Sequence, residues 1–567
     1  MKIRVVDYVM QFLLEKGSDK IFVLTGNGAM YINDAIAKVK KIKYFCVRHE
    51  CAAPMMAESF ARLTGRMGVV CVTAGPGATN TVSGLAEAWV DSAPVLVLSG
   101  QSPTNQIPKQ KLRSFGTAGF DIIPVVKPMT KYAITIKNPL RIKYCMEKAY
   151  YEAMSNRPGP VWIDIPMNIQ YALIDPVKLE GFKPPFKKKQ DIRNLKFSKL
   201  NSLLSSSKKP LIIAGQGIRQ SNSIDIFNKL IKILDIPFVL SRLANDIFPF
   251  SKKNNMGQVG RRGQKYSKSL LNQADLIIVL GCRLAPSLAG ENLNHFNRKA
   301  NVVMIDVDKK EINFHKKNIS LFFEMNLNIF LKLFIEKIQK NKLITKWVDW
   351  RDYCEKLKHS NTIIDINSLK KTKPIDLYFF MSCLDRLANK NDVLTTDAGS
   401  NYYVGGQVYR FENGQREITS GAYAAMGLSI PLSIGAAVAR PKSQILAVTG
   451  DGSLELNIQE LKTISYYKFN IKLFVINNGG YVSMRNWQDK FFDGRRIGSD
   501  DETGAEMLDL YQVSKAFDLP YQMIDDPMKI VTNIKSILKK QGPVFIEVVC
   551  SNVQEIIQPY LETKLSS

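Results

Sequence analysis

The chain has 567 residues, 45% of them hydrophobic and 23% charged, with a formal net charge of +27. The length predicts roughly three domains, and the apolar-to-charged balance excludes a disordered or fibrous chain. The basic residues form only short runs, such as Lys187-Lys188-Lys189 and Lys208-Lys209, with no basic helix or aromatic-basic module. No nucleic-acid partner is expected, and a solvated lysine-rich surface accounts for the charge. No apolar run reaches membrane-spanning length and the N-terminus has no signal pattern, so a cytoplasmic protein without a membrane partner is expected. The eight cysteines are scattered without C-x-x-C spacing and read as reduced, packed thiols.

In chain order, apolar runs at Ile21–Leu24, Met67–Thr73, Val95–Ser99 and Val161–Ile165 read as buried strands separated by helical-length segments. That pattern predicts a parallel sheet with helices on both faces. A Pro/Lys-rich linker is expected at 181–192. A second set follows at Leu211–Ala214, Pro237–Leu240, Leu276–Leu280 and Val302–Ile305, then a polar helical stretch to about Thr372. The third set is Val393–Thr395, Ile445–Thr449, Ile471–Ile476 and Val544–Val549. The expectation is an α/β chain of three doubly wound parallel-sheet domains, at 1–175, 190–345 and 370–555.

The most informative stretch runs from Thr449 to Tyr481. Gly450-Asp451-Gly452 ends one predicted strand and Asn477-Asn478-Gly479-Gly480 ends the next. An Asp and an Asn in strand-end turns offer hard oxygen ligands to a cation, and glycine allows close approach. An intervening helix points its first amides at any anion beside that cation. The arrangement reads as a cradle for a diphosphate held through Mg²⁺. A lone G-D-G is weak; the ordered pair of turns is specific.

With these turns in place, the chain resembles the thiamin-diphosphate enzymes of the acetolactate synthase-like family. The match includes R-H-E at 48–50, A-E-S-F-A-R-L-T-G at 57–65, T-A-G-P-G-A-T-N at 73–80, R-P-G-P-V-W-I-D-I-P at 157–166, T-D-A-G at 396–399 and A-A-M-G at 424–427. The resemblance implies the pyruvate oxidase/decarboxylase-like architecture. It implies that Glu50 contacts the aminopyrimidine of thiamin diphosphate and acts as the catalytic carboxyl. Asp451, Asn478 and the Gly480 carbonyl would hold Mg²⁺; Gly399, Ser400, Gly452 and Ser453 would touch the diphosphate; Met426 would support the cofactor. It also implies a homodimer or homotetramer, because the first domain of one subunit faces the third domain of another. In the middle domain Gly215, Gly217, Arg283 and Asp306 resemble flavin-binding elements, implying a structural FAD. A strand followed by G-x-G reads equally as a plain αβ turn.

The substrate side is assigned to Gly26, Asn27, Ala118, Gly119, Ser287 and Trp487. Decarboxylases of this type use a neighbouring His pair; here the four histidines, at 49, 295, 315 and 359, include no adjacent two, which favours carboligation. Acetolactate synthases carry Gln-Glu where Ala118-Gly119 stands and an Arg where Ser287 stands. Serine does not replace a bidentate guanidinium as a carboxylate partner. The expectation is therefore transfer of an acetaldehyde unit from pyruvate to an uncharged ketone. The yersiniose-pathway type, which acts on a nucleotide-linked keto-deoxysugar, is the nearest named case. An acetolactate synthase and a catalytically dead regulatory relative are the alternatives.

Overall fold

A computed structural model describes the chain except residues 109–111, 114, 186–195, 341–346 and 559–567. The first sheet contains β1 (Lys20–Val23), β2 (Lys43–Cys46), β3 (Gly68–Val72), β4 (Val95–Gln101), β5 (Tyr132–Thr135) and β6 (Val161–Pro166), in the order β2-β1-β3-β4-β6-β5. The second contains β7 (Pro210–Ala214), β8 (Phe238–Leu240), β9 (Asn255–Gln258), β10 (Leu276–Leu280), β11 (Asn301–Asp306) and β12 (Leu321–Glu324), ordered β9-β8-β7-β10-β11-β12. The third contains β13 (Val393–Thr396), β14 (Arg416–Ile418), β15 (Ile445–Gly450), β16 (Ile471–Asn477), β17 (Tyr521–Ile524) and β18 (Val544–Val549), ordered β14-β13-β15-β16-β18-β17. Neighbouring strands within each sheet are parallel, as the α/β reading requires.

The four central strands of each sheet coincide with the apolar runs read from the sequence. They are covered on both faces, so most positions are apolar or small, and buried polar exceptions such as Asp164 and Lys472 are hydrogen-bonded. The two edge strands of each sheet were not foreseen, because their sequences are mixed. β12 alternates buried and exposed residues, and β2 is mostly exposed. The linker expected at 181–192 falls partly outside the described residues, with Lys187-Lys188-Lys189 among them. Among the described residues no helix is long and apolar enough to cross a membrane, and the eight cysteines are unpaired.

The helices that position the site are α1 (Ala52–Thr64), α2 (Val82–Val90), α3 (Ser400–Val408), α4 (Ser429–Ala439), α5 (Asp451–Leu454) and α6 (Val482–Phe491). α1 and α4 join the first and third sheets into one core. Ser59 Oγ donates to the Leu432 carbonyl at 2.7 Å, and a Cβ on Gly435 would lie 2.2 Å from the Met56 carbonyl oxygen. Only glycine permits that approach. Buried ion pairs tie in the second sheet: Arg242 with Glu417, and Asp246 with Arg219 (2.8 Å) and Arg416 (2.6 Å).

Strand order reverses between β1 and β3, between β7 and β10, and between β13 and β15. In open α/β sheets the crevice beyond the carboxyl ends of such strands is the binding position. All three crevices carry residues singled out from the sequence.

Candidate active site

At the β13/β15 crevice, Asp397 lies fully buried just past β13. Its Oδ2 accepts the hydroxyls of Thr449 (2.6 Å) and Ser453 (2.9 Å), and its Oδ1 accepts the side-chain amide of Asn401 (2.9 Å). Burial pushes its carboxyl up to about 6, against these donors. Asp397 thus locks the turn of Gly399 and Ser400 to the turn of Asp451. Ser400 Oγ lies 3.2 Å from Ser483 Oγ, so the start of α3 meets the start of α6.

Asp451 is the second lock. One oxygen accepts the N–H of Gly452 at 2.8 Å, and the other accepts the N–H groups of Asn478 and Gly480, each at 3.0 Å. Burial raises its pKa and the amides pull it back. Arg485, buried on α6, donates to the carbonyls of Asn478, Gly479 and Ser499 and fixes the second turn from behind. The Gly480 carbonyl accepts the Val482 N–H at 3.1 Å and keeps its second lone pair. A carboxylate, a carboxamide and a carbonyl form an oxygen donor set that fits Mg²⁺. A Cβ on Gly452 would lie 2.5 Å from the Tyr481 ring, so the cradle has no room for a side chain there. The buried Oδ1 of Asn401 has no partner, a second sign of a site built for a polar ligand.

The Ser453 hydroxyl is committed, donating to Asp397 and accepting the Gly427 N–H at 2.8 Å. What Ser453 offers a phosphate is therefore its backbone N–H. Met426 is 37% exposed beside this crevice, at the end of a half-exposed segment and just before the buried Gly427. Trp487, half-buried on α6, packs its ring 4.6 Å from Phe491.

At the β1/β3 crevice, Glu50 is 8% exposed and its Oε2 accepts the Asn80 side-chain amide at 3.1 Å. Its turn is held by Glu460, whose Oε1 accepts the N–H groups of Arg48 (2.8 Å) and His49 (3.0 Å). Gly26 sits against Thr73, and Asn27 is exposed beside it. Ala118 reaches the same place: its carbonyl oxygen lies 2.9 Å from where a Cβ on Gly75 would be. Gly119 is buried, and a side chain there would bring its Cβ within 2.4 Å of the Phe115 carbonyl oxygen. That loop is pinned by Ser102 Oγ to the Thr117 carbonyl (2.7 Å) and by the Gln101 amide to the Phe120 carbonyl (2.7 Å). The structure thus brings Glu50, Gly26, Asn27, Ala118 and Gly119 to one crevice. Among the described residues no hydrogen bond joins this group to Asp451, Asn478 or Ser400.

The β7/β10 crevice is a cavity of about 360 Å³, of ligand-pocket size. Gly217, Arg283, Ser287 and Asp306 line it, together with Arg157 and Arg261. Gly215 does not: a Cβ there would lie 2.1 Å from the Gly281 carbonyl oxygen, so this glycine serves the packing of two strand-end turns. Arg262 stacks over Tyr403 at 3.2 Å, and its Nη1 and Gln258 Oε1 are buried without partners. An unpaired guanidinium donor, an unpaired amide acceptor, further guanidinium groups and the dinucleotide-type strand order fit an elongated polar, anionic ligand such as FAD. The Ser287 carbonyl accepts the Arg261 N–H at 2.7 Å, so a guanidinium-bearing residue adjoins that position. α3 links this cavity to the β13/β15 crevice, with Ser400 at one end and Tyr402 and Tyr403 on the cavity wall.

Sequence reasoning missed Asp397, Glu460, Asn80, Ser483, Arg485 and Arg261. Asp397 and Asn80 lay inside quoted motifs. Arg485 acts locally, on carbonyls 6, 7 and 14 residues away, but through backbone groups that give no side-chain pattern; Glu460, Ser483 and Arg261 act across longer separations.

Residues 3–122 match the thiamine pyrophosphate enzyme N-terminal TPP binding domain, 197–331 the central domain, and 397–548 the C-terminal TPP binding domain. The chain is 31% identical over 553 residues to the acetolactate synthase large subunit of Lactococcus lactis subsp. lactis (strain IL1403), covering 97% of this chain and 93% of that protein. It is 29% identical to the acetolactate synthase large subunit of Buchnera aphidicola subsp. Acyrthosiphon pisum (strain APS), with 97% and 95% covered. It is 28% identical to the chloroplastic acetolactate synthase 1 of Nicotiana tabacum, with 97% and 82% covered.

Proposed function

The chain belongs to the thiamine pyrophosphate enzymes, among the acetolactate synthase-like members, and on that premise we propose that it is a carboligase that decarboxylates pyruvate and joins the two-carbon unit to a second 2-keto acid. The observation that carries the acceptor is the likeness over 97% of the chain to acetolactate synthase large subunits.

Thiamin diphosphate, when bound, supplies the carbon nucleophile and the electron sink. Asp451, Asn478 and the Gly480 carbonyl would hold Mg²⁺, and Gly399, Ser400, Gly452 and Ser453 would border the diphosphate. Met426 would support the cofactor from below. Glu50 holds and moves a proton at Oε1, the oxygen that Asn80 leaves free. FAD is assigned to the β7/β10 cavity in a structural role.

Glu50 and Asp451 lie on different sheets, and each crevice is bordered by exposed apolar side chains: Tyr423, Met426, Leu456 and Met484 at one, Phe115 and Phe120 at the other. This supports a site closed by a second copy of the chain, in a homodimer or homotetramer.

A second reading keeps pyruvate as donor and an uncharged ketone, such as a nucleotide-linked keto-deoxysugar, as acceptor. Ser287 and the side-chain-free Gly119 favour it. Purified protein with thiamin diphosphate, Mg²⁺ and pyruvate, with and without 2-ketobutyrate or a neutral ketone, separates the readings. Acetolactate from pyruvate alone supports the first. CO₂ release only on adding the neutral ketone supports the second. No CO₂ in any condition sinks both and marks a dead site.

A further inference from the structure

Four charged side chains that touch neither crevice's candidate ligands are buried between α1, α2 and the segment 419–425. α1 contributes Glu58 and Arg62; α2 contributes Glu87, with Asp91 just beyond its end. Arg62 Nη1 donates to Glu58 Oε1 at 2.8 Å and to the Thr419 carbonyl at 2.8 Å, and lies 3.5 Å from Asp91 Oδ2. Asp91 Oδ2 accepts the Gly421 N–H at 2.8 Å. Ser420 Oγ accepts the Ala424 N–H at 2.7 Å and folds the segment on itself. The segment leads directly into Met426. Its Gly421 and Ala422, with Asp91, also line the β7/β10 cavity.

Three carboxylates surround one guanidinium, and Glu58 Oε2, Asp91 Oδ1 and both oxygens of Glu87 have no hydrogen-bond partner. Ser420 and the Ala425 N–H face Glu87 and favour its charged form, but burial outweighs them. A buried charge without a partner is costly. Among the described residues Glu87 has no ion pair, whereas Glu58 is paired with Arg62 at 2.8 Å.

We propose that Arg62, Asp91 and Glu87 are positioning residues that seat the 419–426 segment, and with it Met426, against α1 and α2, and that a negative charge on Glu87 unseats it. Burial first, and then the charge of Asp91, push Glu87 up to about 7. Glu58 is driven well above its ordinary value and Asp91 is raised, both by burial first. The other charged groups facing the cluster are Arg157 and Arg283, which act on Asp91, and Glu417, which is paired with Arg242. The segment is therefore seated when Glu87 is neutral and loosens above its titration. Because the segment is a wall of the cavity and also carries Met426, an occupant of the cavity is mechanically linked to the cofactor support. The seating stands without the reading of Met426; only its catalytic consequence rests on that reading.

Hydrogen–deuterium exchange of peptides spanning 417–428 in the full chain, corrected for intrinsic rate, tests this at pH 6 and pH 9. The wild type should exchange at least ten-fold faster in this segment at pH 9. Glu87→Gln, uncharged and of the same shape, should keep the pH 6 protection at both values. Asp91→Ala, which removes the Gly421 acceptor, should be unprotected at both while α1 peptides stay protected. An identical pH response in wild type and Glu87→Gln would overturn the proposal, and that comparison decides the matter even where Asp91→Ala does not fold. The half-saturating thiamin diphosphate concentration should rise about ten-fold from pH 6 to pH 9 in the wild type and stay flat in Glu87→Gln. Exchange that moves as expected with no change in half-saturation would support the seating and overturn the reading of Met426.

Discussion

Glu460 Oε1 accepts the backbone N–H of Arg48 at 2.8 Å, so a buried carboxylate from the third sheet's unit holds the turn that ends at Glu50 of the first. The other oxygen of Glu460 accepts the Thr463 hydroxyl at 2.8 Å, which fixes its orientation. Removing the acceptor leaves the Arg48 and His49 amides unsatisfied, at roughly 1–3 kcal/mol for each buried group. Glu460→Ala should lower stability by about 2–4 kcal/mol in urea unfolding. It should also slow CO₂ release from pyruvate; unchanged CO₂ release would show that the turn does not need this support.

Glu50→Gln keeps the shape and the Asn80 contact but cannot give up or take a proton. Proton transfer by a positioned group contributes about 10²–10⁴-fold. CO₂ release should fall by about 10²-fold or more, while the melting temperature stays within a few degrees. A rate equal to wild type would refute the assigned role.

Asp451→Ala removes the acceptor of three backbone N–H groups at once. A loss of about 2–4 kcal/mol in unfolding is expected without any cofactor present. Mg²⁺-dependent binding of thiamin diphosphate, followed by tryptophan fluorescence, should disappear in the same variant. Retained Mg²⁺ dependence would remove Asp451 from the donor set.

Asp246 gives a pH signature. Burial alone would raise its pKa, but Arg219 and Arg416 outweigh burial and hold it at about 2, below the ordinary 3.8. A depressed carboxylate contributes stability above its unfolded value, and that contribution is lost as pH falls from about 3.8 through about 2. Asp246→Asn should cost about 3–5 kcal/mol at pH 7, because the buried carboxylate is the shared partner of two half-buried guanidinium groups. Its stability should then change less than the wild type's between pH 4 and pH 2. Parallel curves would show that the ion pairs are not the source.

Gly119→Ala tests the acceptor-side loop. Its Cβ would meet the Phe115 carbonyl oxygen at 2.4 Å, so the loop must move. The KM of the acceptor should rise several-fold while CO₂ release from pyruvate alone is little changed. An effect on both steps equally would place the loop at the donor side.

The twelve central strands were legible because a strand covered on both faces is mostly apolar, with few polar interruptions such as Asp164 and Lys472. The six edge strands were not, because half-covered strands carry mixed sequences such as Lys43–Cys46 and Leu321–Glu324. Asp451 and Asn478 were legible because both lie in turns between recognisable strands. Glu460 and Arg485 were not. Each supports its turn through backbone groups that any residue type supplies, so no pattern of side chains announces the contact.

By itself the sequence determined the three-sheet α/β architecture and a turn pair suited to a cation and a phosphate, since periodicity and local turns carry that information over a few residues; Glu50, Gly399, Ser400 and Met426 rested on the family resemblance. Only the tertiary structure decided how those residues are held, that Gly215 packs turns while Gly217 faces the cavity, and that Arg261 adjoins Ser287. These depend on contacts between segments tens to hundreds of residues apart, which exist only once the sheets have packed.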